Sequence, residues 1–267
     1  MSLRLLDCYT HVSYGGCHDR WRGTNTPDGP RAVNQPAQAD PGAEARRRFG
    51  LRDEPTDALG GQADAVAAAC HAMAVRFHRG GRLVVFGAGG PSADAQHVAV
   101  EFVHPVIVGK RALPAFSLTA DVATVTGVAE RDGIAAIFAH QLRYLAGPDD
   151  IALGISALGI SAPGISAPGI SSGGAGPDTV SPSMVSTSVL AGLETARELG
   201  LLTVALVGGD GPAAGSAAAK AADHVLVAGS RDPRVVKEMH VTLYHVLWEL
   251  VHVFFEQPGV LGPGVVT

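Results

Sequence analysis

The stretch Gly81–Glu101, GRLVVFGAGGPSADAQHVAVE, decides the fold. Its apolar run Arg82–Phe86 reads as a β-strand, the glycines after it as a turn, and Ser92–Val103 as a helix. A strand that passes through a glycine turn into a helix N-terminus makes an anion cradle. The first N–H groups of the helix lack partners, and the helix dipole favours negative charge there. On that helix His97 and Glu101 stand four residues apart, so they share one face and can converge on a metal ion or a substrate proton. One βα unit thus joins a phosphate cradle at Gly89 and Gly90 to residues suited to acid–base chemistry.

Outward from this unit, strands and helices alternate. The helical periodicity of ADAVAAACHAMAVRFHRG precedes it, and regular structure is expected from about Ala58. Strands are predicted at Ala115–Leu118, Ile151–Ser156, Leu201–Gly208 and His224–Val227. Helices are predicted at Val122–Val128, Ile134–Leu145, Ser188–Leu199, Ala213–Ala221 and, long and strongly apolar, Pro233–Glu256. That alternation argues for an α/β fold with a parallel sheet covered on both faces.

Residues 1–55 have a different character. PDGPRAVNQPAQADPG is rich in Pro, Asp and Gly without periodicity and reads as a flexible arm. Cys8, His11, Cys17 and His18 lie in it at spacings that match no standard zinc pattern. Residues 56–258 form the domain, and 259–267 a short tail. Within Gly154–Ser172 the pentapeptides GISAL, GISAP, GISAP and GISSG repeat. Their prolines exclude a central strand, so the segment near 157–180 reads as a repeat expansion inserted in a loop.

Composition narrows the function. Of the 267 residues 46% are hydrophobic and 17% charged, and the net charge of −5 offers no broad basic surface for nucleic acid. The N-terminal MSLRLLDCYTHVS lacks a signal peptide's apolar run, and no stretch is long enough to span a membrane. Three cysteines are too few for a disulfide framework. A cytoplasmic protein is the expectation.

Four ordered blocks between about residues 60 and 256 resemble the sugar isomerase (SIS) domain, and within it the phosphoheptose isomerase group. GAGGPSADAQHVAVE (Gly87–Glu101) resembles that group's GNGGS-x-x-DA-x-H-x-x-x-E. DDIALGIS (Asp149–Ser156) resembles the strand before its serine-rich loop. VLAGLETARELGLLTVALVGGDG (Val189–Gly211) resembles the next helix and strand, and RVVKEMHVTLYHVLWELVH (Arg234–His252) its C-terminal helix. The resemblance implies a doubly wound five-stranded parallel sheet flanked by helices and a homotetramer with sites between subunits. The activity it implies is isomerisation of sedoheptulose 7-phosphate to a heptose 7-phosphate.

Carried over by position, the resemblance implies that His97, Glu101 and His245 hold zinc and that Glu101 and His245 are the acid–base pair. Lys237 stands where a glutamine ligand is expected. A protonated lysine cannot ligate a cation. Either three protein ligands suffice, or the ammonium replaces the metal and meets the substrate. His240 matches a further histidine and is assigned to helix packing, and Asp94 to a structural place in the first turn. The phosphate loop S-T-S-G-N-S maps onto Ser181, Ser183 and Ser186 from the helix side, and onto Ser156 from the strand side. Ser171–Ser172 is a rival placement, and the two anchors bracket an insertion of about 25 residues. A helix cap is expected at Ser186 or Ser188.

The chain departs from the group elsewhere. Ala88 and Pro91 replace Asn and Ser in the turn, and Met184 the loop glycine. Arg131 takes the place of an Asp, so Asp132 beside it either makes that substrate contact or forms a loop salt bridge. These departures sustain an alternative, a non-catalytic SIS protein that senses a sugar phosphate or bridges partners.

Overall fold

Five short and mainly apolar runs form the strands of one sheet: β1 Leu83–Gly87, β2 Ala115–Ser117, β3 Ile151–Ser156, β4 Leu202–Gly209 and β5 His224–Gly229. The computed structural model describes residues 40–157, 182–209, 218–257 and 259–262, and its contacts divide the chain between Asp40 and Pro41. All of the elements below belong to the unit that begins at Pro41. The sheet order is β2-β1-β3-β4-β5, and every pair is parallel. Each residue of β1 and β3 is buried, which is why these strands read as unbroken apolar runs rather than alternating ones.

Nine helices are described: α1 Pro41–Gly50, α2 Asp53–Gly60, α3 Ala63–His78, α4 Pro91–Val103, α5 Val122–Asp132, α6 Ile137–Leu145, α7 Pro182–Glu198, α8 Ala218–Ala221 and α9 Pro233–Glu256. One face of the sheet packs against α3, α4 and α9 through Met73, Phe77, Phe102, Tyr244 and Trp248. The other packs against α5, α6, α7 and α8 through Val128, Phe138, Leu193 and Ala218. The doubly wound parallel fold expected from the sequence is the one observed.

The chain leaves β1 for β2 on one side and then returns past β1 to β3 on the other. A crevice at the C-terminal ends of β1 and β3, where the winding reverses, is where open α/β sheets place ligands. The turn into α4 and the end of β3 both open there. At the opposite end of the same two strands, Asp150 ties them together. Its Oδ1 accepts from the Arg82 backbone N–H at 2.8 Å, and its Oδ2 from Arg82 Nη2 at 2.7 Å and the Gly147 N–H at 2.9 Å.

Several boundaries differ from the sequence reading. The arm expected over 1–55 gives way to helix from Pro41. In α1, Glu44 pairs with Arg47 and Arg48 one turn on, and Arg52 makes a two-pronged ion pair with Glu238 of α9 at 2.7 Å. α2 then buries Pro55 and Leu59. Nothing stops α5 before Gly133, whose φ of +86° ends it at Asp132 instead of Val128. The helix expected over Ile134–Leu145 opens as a single 3₁₀ turn, Ile134–Ala136. α7 begins at Pro182 rather than Ser188, so Ser186 and Ser188 lie inside a helix and neither caps it. The repeat insertion, the Cys8–His18 cluster and part of the predicted Ala213–Ala221 helix fall outside the described residues.

His240 packs α9 onto the sheet as expected. It is 1% exposed, hydrogen-bonds the backbone of Val207 in β4, and its Nε2 meets no partner among the described residues. Burial pushes its pKa from 6.5 down to about 4, the Val207 bond and Asp94 opposing the shift and Lys237 adding to it.

Two outcomes are expected in urea titrations. Asp150→Ala should lose about 2–4 kcal/mol, because the Arg82 and Gly147 backbone N–H groups lose their acceptor, whereas Arg82→Ala, which spares both, should lose clearly less. His240 makes stability depend on pH. Because its folded value lies below its unfolded one, the unfolded chain takes up the proton first as pH falls. Its contribution is therefore intact above pH 6.5 and lost between about 6.5 and about 4, at up to about 1.4 kcal/mol per pH unit. His240→Gln should flatten that slope, and an unchanged slope would assign it to other groups.

Candidate active site

Two helices far apart in sequence, α4 and α9, lie side by side on one face of the sheet and meet through polar side chains at successive turns. α4 starts tightly. Gly89 has φ +71°, a conformation that suits glycine, and Pro91 occupies the first helical turn, where its missing N–H is no loss. The backbone packs so closely here that a Cβ on Gly87 would come within 2.8 Å of Pro91. Gly89 and Gly90 thus stand at the C-terminal end of β1, where the cradle is expected. α9 starts at Pro233 behind Asp232, whose carboxylate caps the helix by accepting from the Arg234 N–H at 2.9 Å.

Nearest the α4 N-terminus, Lys237 Nζ donates to Asp94 Oδ1 at 2.5 Å, with Asp94 buried and Lys237 half exposed. One turn on, the Tyr244 hydroxyl lies 3.1 Å from His97 Nδ1. One turn further, Glu101 Oε1 lies 2.9 Å from His245 Nε2 and 3.1 Å from His97 Nε2. Trp248 Nε1 donates to the Glu101 backbone oxygen at 3.1 Å and holds the end of the row. Burial raises the pKa of Tyr244, and the charges of Asp94 and Glu101 raise it further, so it stays a neutral phenol.

Three of the expected site residues therefore converge. One ligand atom each from His97, Glu101 and His245 lies within 4.8 Å of the others, and the Glu101 side chain is only 15% exposed. Two imidazoles and a carboxylate around a shared point match the protein donor set of a catalytic zinc site. Lys237 is not in that group. Its ammonium is engaged with Asp94, so where a glutamine ligand is expected this chain has half of an ion pair between helices. Asp94, read from sequence as a first-turn carboxylate, is the other half.

The remaining expected residues are more scattered. Ser156 ends β3 at the crevice and is buried. Ser183 and Ser186 belong to the first turns of α7, whereas Ser181 lies outside the described residues. Asp132 closes α5 on the other face of the sheet. There it pairs with Arg131 at 2.7 Å, which holds its carboxyl below the usual range, and it lies 3.7 Å from His140 Nδ1. Glu101, Val106, Ile107, His245, Trp248 and Glu249 line a small hollow of about 150 Å³. A roomier one of about 440 Å³ between β2, α5 and α6 contains none of the expected site residues, so size alone would point away from them. Sequence reasoning passed over Tyr244, whose place in the apolar stripe of α9 disguises its hydroxyl.

Comparison with known proteins places the fold in a family. Residues 56–167 match the family model described as the SIS domain. The phosphoheptose isomerase of Solidesulfovibrio magneticus is 36% identical over 202 residues, covering 75% of this chain and 84% of that protein. That of Desulfovibrio desulfuricans is 33% identical over 192 residues, covering 72% and 78%. Among solved structures, a phosphoheptose isomerase from Francisella tularensis superposes with a TM-score of 0.65 at 24% identity, covering 80% of this chain and all of the other. The phosphoheptose isomerase of Neisseria gonorrhoeae gives 0.62 at 22% identity, covering 79% and 97%. With its sheet order, its helix pair and these relatives, the chain belongs to the phosphoheptose isomerase family of SIS-domain proteins.

Proposed function

We propose that this chain is an aldose–ketose isomerase that converts sedoheptulose 7-phosphate to D-glycero-D-manno-heptose 7-phosphate through an enediol(ate). The observation that carries the reading is the 2.9 Å contact of Glu101 with His245, made across two helices beside His97. Isomerisation moves a proton from C1 to C2 while the oxygens on those carbons exchange hydroxyl and carbonyl character. An ionised carboxylate only accepts, which suits Glu101 to take the carbon proton and return it to the neighbouring carbon. Imidazole both donates and accepts, which suits His245 to protonate the ketone oxygen and receive the hydroxyl proton. Both imidazoles reach Glu101 Oε1, so Oε2 is the better placed atom for the carbon.

His97, Glu101 and His245 are the residues that would hold zinc, which when bound supplies electrophilic stabilisation of the sugar's oxygens. Gly89 and Gly90 would present the α4 N-terminus to the phosphate, with Ser181, Ser183 and Ser186 as its hydroxyl donors and Ser156 beneath the sugar. From Pro91 to Glu101 the helix rises about 15 Å, and Lys237 lies between those ends. An ammonium there can meet phosphate or hydroxyl oxygens while it stays paired with Asp94. Asp132, paired with Arg131, would reach the substrate only by exchanging that partner.

The reading also carries a cytoplasmic homotetramer with sites between subunits. Its support in this chain is the exposed apolar residues Val100, Val103, Val106, Ile107 and Val108 beside Glu101. Among the described residues no helix is long and apolar enough to cross a membrane. A second reading, a sugar-phosphate sensor without turnover, draws on Ala88, Pro91 and the engagement of Lys237 with Asp94.

Purified protein offered sedoheptulose 7-phosphate with and without zinc separates the two. Glu101→Gln and His245→Ala should each lower kcat by about 10²–10⁴-fold. Binding of the sugar phosphate without turnover under every metal condition would leave the sensor. Stoichiometric zinc that is lost in His97→Ala would establish a three-residue site despite Lys237.

A further inference from the structure

Tyr244 stands directly behind His97. It precedes His245 on α9, is 1% exposed, and meets the edge of the His97 ring with centroids 5.5 Å apart. Its hydroxyl lies 3.1 Å from His97 Nδ1, while the other ring nitrogen, Nε2, lies 3.1 Å from Glu101 Oε1. His97 is thus held at both ends, by a carboxylate that can only accept and by a hydroxyl that can donate or accept.

The proton count fixes what each end does. A neutral imidazole carries one N–H and one lone pair. When the ring is neutral and Glu101 is ionised, the nitrogen facing the carboxylate, Nε2, carries the proton, so Nδ1 has the lone pair and accepts from the Tyr244 O–H. For Nε2 to ligate a cation its lone pair must face the ion, so the proton sits on Nδ1 and needs an acceptor. The Tyr244 oxygen is in place for that, its own hydrogen rotating away. The carboxylates and carbonyls that commonly stand behind ligating histidines suit only the second arrangement.

We propose that Tyr244 is the positioning residue for His97, its hydroxyl turning from donor to acceptor as His97 passes from its metal-free to its metal-ligating tautomer. This rests on His97, Glu101 and His245 being the metal-binding set. Tyr244 holds the ring orientation in both states, so His97 does not have to find a new partner when the ion arrives.

Imidazole ¹⁵N resonances of the zinc-free protein test the donor half. In the wild type His97 Nδ1 should resonate as a lone-pair nitrogen that accepts a hydrogen bond, and in Tyr244→Phe it should move to the position of an unbonded one. A wild-type Nδ1 with no such signature overturns the proposal without recourse to any variant. The acceptor half is read by zinc titration against a competing chelator. Tyr244→Phe should weaken zinc binding about 10–100-fold with little change in thermal midpoint of the zinc-free protein. Equal zinc affinity in the two proteins overturns it. A wild type that takes up no zinc would refute the metal reading together with the acceptor half, and the Nδ1 resonance would still decide the donor half.

Discussion

A carboxylate set between two packed helices loses much of its hydration and must be answered by donors, or the helices cannot close. Glu101 is answered by the imidazoles of His97 and His245, and its backbone oxygen by Trp248. Two turns back, the buried Asp94 is answered by Lys237. Because side chains return to the same helix face every three or four residues, these pairs form a row that works in one register only. A slip of α9 by a single residue would carry Lys237, Tyr244, His245 and Trp248 away from their partners together. The proposed acid–base pair, Glu101 with His245, is thus part of the same contact that fixes how α9 lies against α4.

The sheet supplies the other constraint. Its winding reverses between β1 and β3, and the helices that follow those strands in sequence, α4 and α7, pack on opposite faces. Between them lies a crevice that needs no side chain to create it. The close approach at Gly87 and the positive φ of Gly89 let α4 begin at its edge. One helix therefore has its N–H groups at the crevice and its carboxylate about 15 Å along its axis. An anionic group and a reacting carbon can both be served along that one element.

Local pattern carried much of this. The bounds of β3 and α9 read from periodicity are those found, since both are long apolar runs between clear stops. The pairing of His97 with Glu101 follows from a spacing of four. His245 does not, for it lies 144 residues from Glu101 and only the family resemblance brought it to the site. α1 and α2 were hidden for a related reason. Their sequence is polar, and the ion pair that anchors them, Arg52 with Glu238, spans 186 residues. Tyr244 was hidden by its surroundings, because a tyrosine in an apolar stripe reads as core, which it is, while its hydroxyl points to a partner 147 residues away.

Lys237 gives the departure from the family its physical sense. A glutamine at this position could offer its oxygen to a cation, whereas a lysine cannot and must instead be paired. Asp94 is nearly buried and needs a cation of its own, so the lysine settles there and stays one turn or more from the convergence of His97, Glu101 and His245. A positive charge neutralised in this way repels an incoming ion far less than a free ammonium would. The three residues that remain match the protein contribution to catalytic zinc sites, which keep one position open for substrate or water. On the proposed reading, lysine in place of the glutamine turns an expected ligand position into part of the helix contact and leaves His97, Glu101 and His245 as the candidate metal ligands.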